Sequence, residues 1–236
     1  MEGNINYFSG CGKKTEQCKD VFYFRENGKY GIYALADGVN SKKKSHIGAE
    51  MIQRTIADLF EDFSDMFFED PLSEIKSAVI EIIRDVLYNL TGNKESGEEY
   101  ASTMMIVFVS HVHNCYRWLH IGDGVIVKED LTGEIEMISK PHNGITNRFT
   151  YTTCSEPLDR YLHMDGGALD EIAKIILLTD GAVDTFYREG ELTVNGKEFL
   201  AKGADRYYRI LRQLDMKDDH SMLEIVLNTG GNYGYN

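Results

Sequence analysis

Several stretches of the chain are apolar at nearly every position, which is typical of strands that are buried on both faces of a sheet. Clear examples are the runs at 32–36, 104–109 and 175–178. Turn residues at 26–28 and 130–133 separate neighbouring runs and indicate hairpins. The predicted strands are 20–25, 29–36, 102–110, 115–121, 125–128, 134–138, 172–179 and 222–227.

Three other segments place apolar residues at helical spacing. The first covers 47–60 and follows Ser45, which is a predicted N-cap. The second covers 72–90 and opens with Asp70-Pro71, a capping residue followed by a first-turn proline. The third covers 204–214. These segments are long enough to pack as helices on the face of a sheet.

The order of the elements indicates the fold class. Consecutive strands with segregated helices favour antiparallel sheets with helices packed outside over a doubly wound parallel sheet. The segment at 141–169 is irregular and polar, with at most a short helix near 144–151, and a segment of this length usually carries function or moves. We predict one domain over residues 1–228 and a disordered tail, rich in Gly and Asn, over 229–236.

Composition narrows the classes of protein to which the chain can belong. Against 38 Asp and Glu there are 25 Lys and Arg, and the net charge of −13 argues against a general nucleic-acid-binding face. No apolar run approaches the length of a membrane span, and no signal peptide pattern opens the chain. We therefore expect a cytoplasmic protein with no nucleic-acid or membrane partner. The cysteines are scattered without a Cys-x-x-Cys pair, which favours free thiols over a disulfide framework or a zinc site; they are Cys11, Cys18, Cys115 and Cys154.

Acidic residues stand where buried strands meet turns. Asp37 and Asp180 each follow such a strand, and Asp218 precedes the last one. A carboxylate in this position is costly to bury, and clustered carboxylates raise each other's pKa unless a cation lies between them. Because the three residues come from distant parts of the chain, the sequence predicts strand ends that converge on a divalent metal site.

Oxygen ligands of this kind suit magnesium and manganese ions. Asp37, Asp180 and Asp218 could hold two such ions with a water between them, which becomes a hydroxide near neutral pH. The same ions neutralise the oxygens of a phosphoryl group during in-line displacement, so that no side-chain nucleophile is needed. Taken singly, an Asp-Gly pair such as Asp37-Gly38 is more often a turn than a ligand.

An ordered set of motifs resembles the metal-dependent type 2C protein serine/threonine phosphatases, in the manner of a bacterial single-domain member. Each motif is weak alone, but the order and spacing of the set are specific, and the resemblance covers roughly residues 9–228. The motifs are Asp37-Gly38, Gly48-Ala49-Glu50, Ser102-Thr103, Gly122-Asp123-Gly124, Thr179-Asp180-Gly181-Ala182-Val183-Asp184 and Asp218-Asp219-His220-Ser221.

The resemblance implies an α+β fold, an α-β-β-α sandwich in which helix pairs flank two central antiparallel sheets and metals bind at one edge. It implies hydrolysis of phosphoserine and phosphothreonine in proteins with two Mn²⁺ or Mg²⁺ ions. The implied partners are a phosphorylated protein substrate and a serine/threonine kinase that shares its targets. We expect a monomer.

The resemblance also assigns roles to individual positions. Asp37 resembles the ligand that bridges both metals, and the Gly38 carbonyl is a further ligand. Asp180 and Asp218 resemble the remaining direct ligands, so they complete the predicted catalytic centre with Asp37. The supporting positions are Asp20, which resembles an acid that reaches a metal through water, and Asp123 with Asp184, which resemble the acids of a weaker third metal site.

Several positions depart from the family pattern, and they concern the substrate phosphate more than the metals. The usual Asp-Gly-x-Gly-Gly is Asp37-Gly38-Val39-Asn40-Ser41 here, so two glycines are lost. Thr15 stands where the family has an arginine that grips phosphate, and Lys19 stands before the first-strand acid. The neighbouring Lys13 and Lys14 are the predicted phosphate contacts, although lysine lacks the guanidinium fork.

The sequence leaves three functions open. The leading hypothesis is a metal-dependent protein phosphatase. The second is a phosphatase-like binding or regulatory module with weak or no catalysis, which the departures at Thr15, Lys19, Val39 and Asn40 motivate. The third is a metallophosphatase that acts on a small phosphorylated metabolite, because loops select the substrate. The lysines at 42–44 are either a solvated loop or an attractor of phosphorylated substrate.

Overall fold

A computed structural model describes residues 4–13, 17–92, 97–142 and 149–227. Its strands are β1 (Asn4–Gly10), β2 (Val21–Glu26), β3 (Tyr30–Ala36), β4 (Met104–Ser110), β5 (Cys115–Ile121), β6 (Val125–Asp130), β7 (Ile135–Ser139), β8 (His163–Ala168), β9 (Ile172–Leu178), β10 (Tyr187–Arg188), β11 (Glu191–Leu192) and β12 (His220–Val226). Its helices are α1 (Ser45–Asp62), α2 (Met66–Glu69), α3 (Leu72–Thr91), α4 (Leu158–Tyr161), α5 (Asp180–Val183), α6 (Val194–Leu200) and α7 (Ala204–Leu211).

The longer strands form two five-stranded sheets. One sheet has the strand order β1-β12-β9-β6-β7, and the other has the order β2-β3-β4-β5-β8. Every pairing within both sheets is antiparallel, as the succession of strands in the sequence predicts. The strands β10 and β11 form a separate two-stranded ribbon.

Alternating side chains of the central strands build three apolar layers. In β4, Met105 and Val107 pack between the two sheets, whereas Ile106 and Phe108 pack in the layer that contains α1 and α3. The strand β9 alternates in the same way between the intersheet layer and the layer that contains α5, α6 and α7. Helices therefore cover the outer face of each sheet, and the predicted α-β-β-α sandwich is confirmed.

Some elements differ from the sequence prediction. The strand β1 has no counterpart among the predicted strands, because it is an edge strand with polar and exposed side chains. The strand β8 lies in the segment for which the sequence predicts irregular structure. Its Gly166 lies so close to β5 that an added Cβ would meet the Tyr116 carbonyl oxygen at 2.3 Å. Pairing with β5 therefore outweighs the low strand propensity of these residues. The helices α2, α4 and α6 are also additional to the prediction.

The predicted N-cap of the first helix is wrong. Ser45 is the first residue of α1, and its hydroxyl donates to the carbonyl oxygens of Val39 and Lys42, at 3.1 Å each. The side chain therefore fastens the loop that follows Asp37 instead of capping the helix. The predicted tail at 229–236 and most of the predicted short helix near 144–151 lie outside the described residues.

The length and hydropathy of the helices bear on membrane insertion. In the described part of the chain, no helix is both long enough and apolar enough to cross a bilayer.

The intersheet layer carries a direct test of this packing. We expect Leu177→Ala to lower the free energy of unfolding by about 2–5 kcal/mol, because Leu177 is fully buried between the sheets and its loss leaves a cavity. Leu131→Ala is the matched control, since Leu131 is 53% exposed and its loss should cost within about 0.5 kcal/mol. Urea denaturation measures both. Equal losses in the two variants would contradict the assigned layer.

Candidate metal centre

The strand register brings acidic residues to one edge of the two sheets. Asp20 immediately precedes β2 and Asp37 immediately follows β3, and the adjoining residues of these strands pair with each other. Leu178, at the end of β9, pairs with Met222 of β12 and with the first residue of β6. The residues just beyond these strand ends, Asp180 and Asp218, therefore meet at the same edge.

The predicted acids surround a cleft of about 810 Å³. Four of them line it: Asp37, Asp123, Asp180 and Asp218. Asp20 lies beside this group, and one of its carboxylate oxygens accepts a hydrogen bond from the Thr179 hydroxyl at 3.3 Å. Asp184 lies on a single 3₁₀ turn that follows α5, with its side chain exposed. The structure thus brings every predicted acid to one edge, and Asp184 is the most peripheral.

Burial is the main cause of the unusual electrostatics of these acids. It raises the pKa of Asp20 to about 7. It also raises the pKa values of Asp37 and Asp180 well above their usual range. The charges of neighbouring carboxylates add to the effect, and for Asp37 they come from Asp20, Asp180, Asp123 and Asp218. The cluster is therefore costly to keep ionised without a compensating positive charge.

The donor atoms of the cluster fit a hard divalent cation. One carboxylate oxygen of Asp20 and one of Asp37 are buried and have no hydrogen-bond partner. Within the described ranges, no lysine or arginine forms an ion pair with Asp20, Asp37 or Asp180. Buried polar atoms without partners are rare and require a physical cause such as a bound ion. An all-oxygen donor set is the kind that magnesium and manganese prefer.

Two of the departures from the family pattern form a network around the cleft. The Lys19 ammonium donates to the carbonyl oxygens of Asn40 and Lys42, at 2.7 Å each. The Asn40 amide in turn donates to a carboxylate oxygen of Asp218 at 2.5 Å. Lys19 and Asn40, which the sequence shows only as departures from the family pattern, therefore hold the loop after Asp37. Asn40 also orients Asp218, one of the predicted ligands.

Neighbouring elements fix the other acids. The Asp37 backbone exchanges hydrogen bonds with Thr103, from the Asp37 amide to the threonine hydroxyl at 2.9 Å and from the Thr103 amide to the Asp37 carbonyl at 2.8 Å. Gly181 permits the start of α5 to lie against the chain before β12, because an added Cβ would lie 2.0 Å from the Asp219 carbonyl oxygen. The Thr150 hydroxyl donates to the Asp123 carboxylate, a contact that no sequence pattern indicated.

The basic residues near the cleft are placed differently from the prediction. Lys13 is exposed, and its ammonium pairs with Asp215 away from the cleft-lining residues. Lys14 and Thr15 lie outside the described residues. Of the described lysine and arginine side chains, Lys42 is the one that lines the cleft.

The other two lysines of the 42–44 run do not line the cleft. The Lys44 ammonium lies 5.3 Å from the centre of the Tyr100 ring and 3.3 Å from its hydroxyl. On the opposite wall, Tyr151 and Tyr161 stack with ring centres 3.8 Å apart, next to Phe149. The cleft therefore combines acids, one lysine and an aromatic wall.

Comparisons with known proteins agree with this architecture. The sequence profile of the protein phosphatase 2C family matches residues 10–222. No curated protein matches the chain by sequence. A crystal structure of a bacterial serine phosphatase is 15% identical, with a TM-score of 0.69, and the match covers 96% of this chain and 98% of that one.

Two further solved structures share the fold. The serine/threonine phosphatase Stp1 from Staphylococcus aureus is 14% identical with a TM-score of 0.67, and the match covers 97% of this chain and 96% of that one. RsbX in complex with magnesium is 17% identical with a TM-score of 0.59, and the match covers 94% of each chain. Because the family profile spans nearly the whole sequence and the fold agrees with it, the chain belongs to the protein phosphatase 2C family, the metal-dependent protein serine/threonine phosphatases.

Proposed function

We propose that the protein hydrolyses phosphoserine and phosphothreonine in other proteins, with two Mn²⁺ or Mg²⁺ ions bound at the acidic cleft. Asp37 would be the ligand shared by the two ions, the Gly38 carbonyl would be a further ligand, and Asp180 and Asp218 would complete the direct set. The observation that carries this proposal is the convergence of buried carboxylates with unpartnered oxygens on one cleft. The supporting acids are Asp20, which acts through water, and Asp123 with Asp184, which hold a weaker third ion.

The ions supply Lewis acidity and a water acidic enough to attack phosphorus near neutral pH. The protein holds the carboxylates in position. Asn40 holds the Asp218 carboxylate in one orientation, and the paired hydrogen bonds to Thr103 fix the backbone of Asp37. Burial keeps these carboxylates in a setting where interaction with a cation is stronger than in water.

Lys42 is our proposed contact for the substrate phosphate in place of Lys13, which pairs with Asp215 instead. The prediction for Lys14 stands beside it. The Lys42 ammonium lies 3.1 Å from a Glu98 carboxylate oxygen, and both residues line the cleft that contains the acids. Lysine binds phosphate as a point charge. We also propose, from family membership, that residues 1–228 form a single domain and that the protein is a cytoplasmic monomer. A serine/threonine kinase would share its targets.

Catalysis provides the first test of this function. We expect manganese-dependent phosphate release from a phosphothreonine peptide, which EDTA abolishes. Asp180→Asn should lower kcat by about 100-fold or more because it removes a direct ligand. Asp62→Asn, at an exposed position on α1, is the matched control and should retain full activity.

The same assay separates the alternatives. Turnover that resists EDTA and Asp180→Asn would contradict the proposed metal centre. Manganese binding without turnover would favour the regulatory module. A higher kcat/KM for small phosphorylated metabolites than for phosphopeptides would favour the metabolite phosphatase.

The second test uses stability instead of activity. In EDTA, we expect Asp37→Asn to melt a few degrees above the wild type, because it removes one charge from a buried, mutually repelling cluster. A change of about 1 kcal/mol corresponds to about 2–4 °C in a chain of this length. In saturating Mn²⁺ the order should reverse, since the ions bind the wild type more tightly and stabilise it by mass action. Differential scanning calorimetry measures both. An unchanged order would count against Asp37 as a ligand.

The third test concerns Lys42. Lys42→Ala should raise KM for a phosphopeptide by about tenfold, which corresponds to about 1.4 kcal/mol, a typical value for a hydrogen bond to a charged group. Lys43→Ala is the matched control, because its side chain belongs to the same run but does not line the cleft. Steady-state kinetics compares the two. Equal effects would show that the run acts only through its overall charge.

A further inference from the structure

A second cluster of metal-ligating side chains lies outside the acidic cleft. The Cys11 sulfur, the Cys18 sulfur and a carboxylate oxygen of Asp219 all lie within 4.8 Å of one another. The two cysteines belong to the segment between β1 and β2, and Asp219 immediately precedes β12. Since Asp219 is about 200 residues away along the chain, the fold alone brings the three together.

The backbone holds this cluster in place. One Asp219 carboxylate oxygen accepts a hydrogen bond from the Gly12 amide, and the other accepts one from the Lys19 amide, both at 2.9 Å. Asp219 therefore ties together the two ends of the segment that carries both cysteines. Gly12 lies so close to β12 that an added Cβ would lie 2.4 Å from the Asp218 carbonyl carbon, so a larger residue would push Cys11 away.

The donor set is chemically different from that of the cleft. Thiolates select zinc and similar thiophilic ions, whereas carboxylates and water suit magnesium and manganese. A tetrahedral zinc ion with Zn–S distances of about 2.3 Å keeps its ligand atoms roughly 3.7 Å apart. Separations of at most 4.8 Å have to shorten by about 1 Å or less to reach that geometry.

We propose that Cys11, Cys18 and Asp219 bind a thiophilic divalent cation, with zinc as the best fit. Cys11 is exposed, so the ion has a path from solvent and a water can complete the fourth position. On binding, the ion replaces the two thiol protons, which pass to solvent.

The contacts of the Cys18 sulfur leave it available to a metal ion. This sulfur lies 3.0 Å from the Ser9 hydroxyl, a neutral contact that a metal bond readily replaces. Cys11 and Cys18 are free thiols in the structure, so both sulfurs are available as ligands.

The cluster is distinct from the catalytic centre but shares its backbone. Asp219 follows Asp218, and Cys18 precedes Asp20 by two residues. A bound ion would hold Cys11 and Cys18 against the residue that precedes β12. Binding at this cluster is independent of the proposed phosphatase chemistry, because the ion can bind whether or not the cleft turns over substrate.

Cobalt spectroscopy tests the site directly. The full chain, freed of metal and kept reduced with a phosphine, is titrated with Co²⁺, which absorbs in the near ultraviolet when thiolates bind it. We expect about one equivalent to give this band and Zn²⁺ to remove it. Cys11→Ser should lower the band to half or less, because one thiolate is lost, and should weaken Zn²⁺ binding by about 100-fold or more, because even outer-shell changes cost about 10–100-fold. Serine at this exposed position leaves the fold intact.

Two control proteins separate this site from thiolate binding elsewhere in the chain and from ions in the cleft. Cys115→Ser/Cys154→Ser retains the proposed ligands and should keep the band. Asp37→Asn should also keep it, even if that variant loses manganese binding and activity. The proposal is overturned if the wild type shows no thiolate band, if Cys11→Ser keeps more than half of it, or if either control protein loses it.

Discussion

Burial of several carboxylates at one edge of the sandwich is the constraint around which the structure is arranged. Desolvation and mutual repulsion raise the pKa values of Asp20, Asp37 and Asp180, and the cluster gains nothing from packing to offset this cost. Packing of apolar residues elsewhere in the chain compensates for this cost. Three apolar layers hold the strands in a fixed register, and that register delivers the acids to the edge. A site that is unfavourable alone thus persists because the scaffold determines it.

The loop after Asp37 shows how one chain can keep this arrangement with unusual residues. Loss of two glycines removes backbone freedom, but the Lys19 ammonium holds the loop by the carbonyl oxygens of Asn40 and Lys42. The Ser45 hydroxyl donates to the same Lys42 oxygen and to that of Val39. Asn40 then reaches Asp218. Side-chain hydrogen bonds to the backbone therefore take over part of the role that glycine conformations have in the family pattern.

The sequence predicted those features that rest on local pattern. β4 and β9 are apolar at nearly every position, and Asp37 and Asp180 follow such strands, so both the sandwich and the convergence of acids could be inferred. Edge strands such as β1 and β8 could not, because their formation depends on pairing with a neighbour and not on composition. The cluster of Cys11, Cys18 and Asp219 was missed for a related reason: cysteine spacing is uninformative when the third ligand lies at the far end of the chain. The sequence alone could not show that Lys42 lines the cleft and Lys13 does not, because this depends on the folded shape of the cleft.

The dipeptide Asp218-Asp219 links the two metal-binding regions. Asp218 lines the acidic cleft, while Asp219 is buried against Gly12 and Lys19. The two carboxylates have different neighbours, so one short segment can present an oxygen ligand to a hard cation and another to a thiophilic one. Under the proposed assignments, an ion at either site restricts the same backbone.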